Sequence, residues 1–224
     1  TIDGQTLLYT GDICFRDSRL LAKASFEPHN VDIVITEGTY GDRSHMSRRE
    51  EEKRFVRTIK KALAEGGSVL IPAFAIGRAQ EIAMILAKEN FDVPLYLDGM
   101  ARAVANVFLK GPHFIRDPTA FQKTCRKVKF VRSLNMRRKI AKEQGIFITP
   151  SGMANGGPVF EYLKFLHAGK HNALLFTGYQ DPDGNGYKLL DGQSVVVDDN
   201  ETKWSGHVEK FNFSAHAGQD ELVS

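Results

Sequence analysis

Between residues 66 and 179 the chain runs repeatedly through nearly continuous apolar stretches, each followed by a segment of helical spacing. "SVLIPAF" (68–74), "VPLYLD" (93–98), "GIFITP" (145–150) and "NALLFTGY" (172–179) are of this kind. A strand with one wet face alternates apolar and polar residues. A strand that is apolar throughout is covered on both faces, which is the situation of a parallel sheet with crossover helices. Helical patterns fall at 77–90, 100–110, 134–143 and 157–168. The order strand, helix, strand, helix, helix, strand, helix, strand predicts a Rossmann-like, doubly wound α/β unit.

The flanks read differently. Residues 1–41 and 194–224 are strand-rich, with signals at "TLLYT" (6–10), "VDIVITE" (31–37), "SVVVD" (194–198) and "VEKFNFS" (208–214). A helix is expected over 47–65, where Phe55, Ile59, Ala62 and Leu63 recur on one face and Gly66-Gly67 stops it. The Asp3-Gly4 pair signals a hairpin turn whose first strand has only Thr1 and Ile2, and the chain ends eight residues after His216. Both ends are therefore expected to be cut, and the chain is expected to be a fragment.

No apolar run approaches the length of a membrane span, so no membrane association is expected. Cys14 and Cys125 lie far apart without metal-type spacing and read as free or buried thiols of a reducing compartment, hence a cytoplasmic protein. The net charge of +3 says little, but its distribution says more. Nine basic residues and no acidic one lie between Phe121 and Lys142. The run is either a solvated helix face or a surface that neutralises phosphates. "DPDGNG" (181–186) matches the first half of a calcium loop. The twelfth position of that loop, which needs a bidentate glutamate, is Gly192, so a polar turn is the better reading.

Four stretches concentrate reactive side chains at strand ends: "YTGDICF", "ITEGTYGDRSH", "TPSGMANGGP" and "FSAHAGQD". Catalytic groups of α/β proteins gather beyond the carboxyl edge of the sheet. Asp12 and Glu37 each follow an apolar strand, where a buried capping role is the alternative. His216 by itself could equally be a satisfied structural histidine.

Taken together, "TGDICF", "ITEGTYGDRSHMSRREEEKRF", "GGSVLIPAFAIGRAQEIAMIL", "ITPSGMANGGPV", "LLFTGYQ" and "FNFSAHAGQDEL" occur in order along essentially the whole chain. This set resembles the β-CASP branch of the metallo-β-lactamase superfamily, in particular archaeal relatives of the nuclease subunit of the cleavage and polyadenylation specificity factor. The resemblance implies a β-CASP domain over 42–211 inserted in an αββα sandwich that is only partly present, as residues 1–41 and 212–224. It implies a zinc-dependent ribonuclease of the mRNA 3′-end processing or RNA decay type. Asp12 matches the carboxylate shared by two zinc ions, Glu37 the acid that orients the catalytic histidine, and His216 that histidine. Ser214 would lie beside the scissile phosphate. Arg78, Ser151 and Gly152 would face a groove for single-stranded RNA, though Arg78 could instead form a buried ion pair with Glu81 or another acid.

The family's remaining metal ligands, an HxHxDH box and further histidines, have no counterpart here. His29, His45, His113, His167, His171 and His207 match no ligand position. The 224 residues alone are therefore expected to hold no catalytic metal and to be inactive. The alternative is a catalytically inactive RNA-binding or scaffold subunit of an RNA-processing complex. A homodimer is compatible with either.

Overall fold

The structure, a computed structural model, describes residues 3–26 and 30–223. Its strands in chain order are β1 (Leu7–Tyr9), β2 (Ile33–Ile35), β3 (Val69–Pro72), β4 (Leu95–Leu97), β5 (Lys129–Phe130), β6 (Ile146–Thr149), β7 (Ala173–Phe176), β8 (Val195–Val197), β9 (Asn200–Thr202) and β10 (His207–Lys210). The α-helices are α1 (Arg48–Ala64), α2 (Arg78–Leu86), α3 (Gly99–Lys110), α4 (Pro118–Lys127), α5 (Leu134–Ile140), α6 (Pro158–Leu166), α7 (Asn185–Leu190) and α8 (Gln219–Leu222). No helix among the described residues is long and apolar enough to cross a membrane.

Six strands form one parallel sheet in the order β10-β7-β3-β6-β4-β5. The unbroken apolar runs occupy its centre, with β3, β4, β6 and β7 buried at every residue. Their side chains alternate between two core clusters. Val69, Ile71, Leu95, Leu97, Ile146, Ile148 and Leu175 join the cluster that α1, α2, α3 and α4 cover. Leu70, Tyr96, Phe147, Leu174 and Phe176 join the cluster on the other face, covered by α5, α6 and α7 and by the β8–β9 hairpin. Helices on both faces of a parallel sheet make this the Rossmann-like α/β architecture expected from the runs.

Local chemistry sets the element limits. α1 buries Phe55, Ile59 and Ala62 and stops at Gly66, whose φ of +82° suits a residue without Cβ. The side chain of Asp98 accepts the Gly99 amide at the start of α3, that of Asp117 accepts the Ala120 amide at the start of α4, and Ser133 Oγ accepts the Met136 amide at the start of α5. Asp98 is also a buried anion: Arg137 binds it through two nitrogens and Tyr162 donates its hydroxyl at 2.9 Å.

Several expectations are revised. α4, α7, β5 and β9 were not anticipated. β9 arises from a two-residue turn in which Asp198 and Asp199 both take positive φ, as the hairpin geometry requires. The strand expected over 208–214 leaves the sheet after Lys210, once the Phe211 amide has bonded Phe176 O. The "DPDGNG" segment is a turn into α7, in which Asp181 Oδ1 accepts the Asp183 amide. Asp3 and Gly4 do take the positive φ values of a tight turn, but the strand that follows pairs in parallel with β2. The hairpin's first strand falls on residues outside those described, as does His29.

β1 and β2 make a separate two-stranded parallel sheet, Leu7 opposite Ile33 and Tyr9 opposite Ile35. Leu7, Tyr9, Ile33, Val34 and Ile35 are all exposed.

Candidate active site

Because β1 and β2 run parallel and in register, the loops that follow them emerge at one end. Asp12 lies three residues past β1, beyond a bend at Gly11 (φ +58°), and Glu37 lies two residues past β2. Glu37 turns inward. Its Oε1 accepts the Ile13 amide at 2.7 Å and its Oε2 faces His216 Nδ1 at 2.7 Å. Burial pushes the Glu37 carboxyl up, but the Ile13 amide, the Thr39 hydroxyl and the His216 ring outweigh it and hold the group below the usual carboxylate range. An ionised Glu37 fixes the Nδ1–H tautomer of His216 and leaves Nε2 uncommitted.

Asp12, Glu37 and His216 each bring a ligand atom within 4.8 Å of the others. Asp12 is exposed and its side chain makes no hydrogen bond among the described residues. The donor set is one uncommitted carboxylate, one imidazole nitrogen and a second carboxylate already spent on orientation. This composition leaves Asp12 as the group free to hold a metal ion, with Glu37 committed to the His216 ring and His216 Nε2 open beside it.

The loop that carries His216 is pinned from three directions. His216 N donates to Ser214 Oγ at 3.0 Å, Ser214 N to Asn212 Oδ1 at 3.0 Å, and Asn212 N to Glu51 Oε1 on α1 at 2.6 Å. Ala217 N donates to Ile13 O at 2.7 Å, which ties the loop to the Asp12 segment. On the third side stands His45. Its Nδ1 accepts from Asn212 Nδ2 at 2.8 Å, so its Nε2–H donates to His216 O at 3.2 Å, and its ring lies 4.7 Å from that of Tyr40. Burial pushes the His45 pKa down and the nearby Arg16 adds to this, in keeping with a neutral ring. His45 and Asn212 were not singled out from the sequence. His45 lies inside "ITEGTYGDRSH", but its partner is 167 residues away and no spacing rule joins them.

A cleft of about 610 Å³ opens beside this cluster, lined on one side by Asp12 and Ser214 and on the other by Phe74, Ile76, Gly77 and Arg78, beyond the carboxyl end of β3. The ion pair of Arg78 with Glu81 is not formed. Glu81 is occupied by the Arg48 guanidinium and by the amides of Arg19 and Leu20. Arg78 Nε is buried without a hydrogen-bond partner. Burial first, and Arg48 second, bring the Arg78 pKa down to about 10, which leaves it a cation at neutral pH. The cleft therefore holds an uncompensated positive charge close to an uncompensated carboxylate.

Ser151 and Gly152 do not line the cleft. They follow β6, where Ser151 Oγ accepts the Asn155 amide and Gly152 packs so closely on Phe74 that a Cβ would come within 2.9 Å of its nitrogen. Gly152 thus stands one side chain behind the cleft wall. Part of the basic run is structural as well: Arg137 neutralises Asp98, Arg138 pairs with Glu161, and Lys127 Nζ donates to Ala87 O.

Residues 79–189 match the Beta-Casp domain family. The chain is 41% identical over 226 residues to the protein named Probable RNase MJ4 of Methanocaldococcus jannaschii, covering 98% of this chain and 53% of that protein. It is 32% identical to RNase aCSPSF2 of Saccharolobus solfataricus (97% and 44% covered) and 34% identical to Ribonuclease TTHA0252 of Thermus thermophilus (99% and 54% covered). The chain thus spans about half the length of these relatives.

Proposed function

The chain belongs to the β-CASP branch of the metallo-β-lactamase superfamily, and from that premise we propose that it serves a zinc-dependent ribonuclease that hydrolyses phosphodiester bonds of single-stranded RNA, in 3′-end processing or decay. The observation that carries the reading is the convergence of Asp12, Glu37 and His216 at the edge of a cleft that also presents Arg78. The same reading assigns residues 1–41 and 212–224 to the metal-binding domain and 42–211 to the β-CASP domain.

Each residue has a task that its surroundings support. Asp12 is free to hold metal. Zinc bound there would supply Lewis-acid polarisation of the phosphate oxygens. Glu37 keeps the His216 proton on Nδ1, so that Nε2 faces the reacting group. The ring so oriented would assist departure of the leaving oxygen. Ser214 holds the His216 amide and borders the cleft, where a phosphate would lie. Arg78, desolvated and unpaired, attracts the same phosphate. Gly152 acts through Phe74, as groove support, and Ser151 through the Asn155 amide that holds the loop after β6. Two zinc ions need more donors than this cluster offers, so the 224 residues by themselves are expected not to cleave RNA. The cytoplasm is the compartment that free thiols and an RNA substrate favour, and a homodimer or larger RNA-processing assembly is compatible with the reading.

The test uses the full-length protein that contains this chain. Cleavage of single-stranded RNA should stop with a chelator and return with zinc. His216→Ala should lower the rate by at least about a hundredfold. Undiminished cleavage by His216→Ala would remove that residue from the chemistry. RNA binding without cleavage by the intact, zinc-loaded protein would favour the inactive-subunit alternative.

A further inference from the structure

Away from the cleft, a second groove of about 560 Å³ runs between α1 and the C-terminal end of α2. Six basic and two acidic side chains line it. Both acids are engaged: Glu52 by Arg19 and Arg48, Glu89 by Lys60. Arg49, Lys53, Arg57 and Lys88 are exposed and make no hydrogen bond or ion pair among the described residues.

Three of these form a stripe on α1. Arg49, Lys53 and Arg57 succeed one another every four residues, a rise of about 6 Å per step. Like charges at this spacing repel and weaken a helix, so the stripe does not serve the fold. Its regular spacing instead suits successive phosphates of an extended strand. The floor is Val56 and Ile85, and no aromatic ring lines the groove, so it offers charge for a backbone but no stacking platform for bases.

The groove also adjoins the cleft. Arg48 and Glu81 line the cleft, and Arg19 and Glu52 line the groove. The bonds Arg19–Glu52 (2.6 Å), Arg48–Glu52 (3.4 Å) and Arg48–Glu81 fuse these four into one wall. A strand that passes out of the cleft over that wall meets the α1 stripe next.

We propose that the α1–α2 groove is a second RNA site, which grips the sugar–phosphate backbone of single-stranded RNA outside the cleft through Arg49, Lys53, Arg57 and Lys88 without reading its sequence. The choice of RNA as the polyanion rests on the ribonuclease reading above.

The test compares the full-length protein with its Arg49→Ala/Lys53→Ala/Arg57→Ala variant. Binding is measured by fluorescence anisotropy across a salt series. One RNA is short enough to occupy the cleft alone and the other is several times longer, both of mixed sequence. The three side chains are exposed and unpartnered, and a matching thermal melt would verify an unchanged fold. Affinity for the long RNA should fall roughly tenfold or more, and its log–log salt slope should become shallower by about 2, the loss of three single-strand phosphate contacts. Binding and cleavage of the short RNA should not change. The charge-preserving Arg49→Lys/Lys53→Arg/Arg57→Lys variant should behave like the parent. Long-RNA affinity and slope left intact by the alanine variant would overturn the proposal, as would an equal loss for both RNAs. Groove-dependent capture of phosphatidylglycerol vesicles with unaltered RNA binding would overturn it too. A parent protein that binds neither RNA would bring down the ribonuclease reading itself, and the groove assignment with it.

Discussion

Glu37 shows how much one carboxylate can hold in place. Its two oxygens have different tasks, Oε1 anchoring the Ile13 amide next to the free Asp12 and Oε2 orienting His216. Glutamine at this position has one acceptor oxygen for two donors, so one bond must be lost. Glu37→Gln is therefore expected to lower RNA cleavage by the full-length protein about 10- to 100-fold while RNA affinity holds, the usual effect of removing an orienting partner. Steady-state cleavage with parallel binding measurements checks this, and an unchanged rate would show that the tautomer does not matter. Asp12, Glu37 and His216 could be picked from the sequence because each sits in a motif that resembles one of the β-CASP branch. His45 could not, since its role is defined by Asn212 and by the His216 carbonyl, both contributed from the far end of the chain.

At the level of elements, the unbroken apolar strands were readable and α4 was not. Its signals were present: an Asp117 cap followed by Pro118, then Phe121 and Thr124 turned inward. The density of lysine and arginine around them made the segment read as a charge run. The run itself is divided by the fold. Arg137 at the end of α5 neutralises Asp98, which simultaneously caps α3 and accepts from Tyr162. Hydrogen bonding to Asp98 raises the Arg137 pKa, while burial raises that of Tyr162. Arg137→Met is expected to strand a buried carboxylate and to cost about 3 kcal/mol of stability. Urea denaturation would measure this, and a loss within experimental error would mean that water or Tyr162 alone satisfies Asp98. No such cost attaches to Lys123 and Lys139, exposed in the same run and without a hydrogen bond or ion pair among the described residues, and their replacement should be nearly silent.

For the whole molecule the contrast lies between the two sheets. The six-stranded sheet is sealed between helical layers, whereas β1 and β2 expose apolar side chains, Tyr9 at 70% and Val34 at 58%. A two-stranded sheet with little cover is marginal by itself. What holds it here is the site: the Glu37–Ile13 bond joins its two loops, and the Ala217–Ile13 bond and the Tyr40–Gly218 bridge tie them to the segment after β10. Hydrogen exchange on this chain should find the amides of β3, β6 and β7 protected longest and those of β1 and β2 exchanging well before them. Equal protection of Leu7–Tyr9 and Val69–Pro72 would contradict that ordering. The candidate chemistry thus sits where the exposed two-stranded sheet meets the sealed six-stranded one, with the cleft to one side and the basic groove beyond its wall.

The sequence alone determined the parallel α/β core, because a strand buried on both faces must be apolar throughout and the helices between must carry one apolar stripe. Its ordered motifs, through their resemblance to the β-CASP branch, also pointed to which acids and which histidine to watch. Only the tertiary structure decided which charges are free. Glu81 is consumed by Arg48, so Arg78 stands unpaired; Arg137 is consumed by Asp98, while Arg49, Lys53 and Arg57 have no partner. Ion pairing depends on distances between side chains tens to hundreds of residues apart, and local pattern carries no record of those distances.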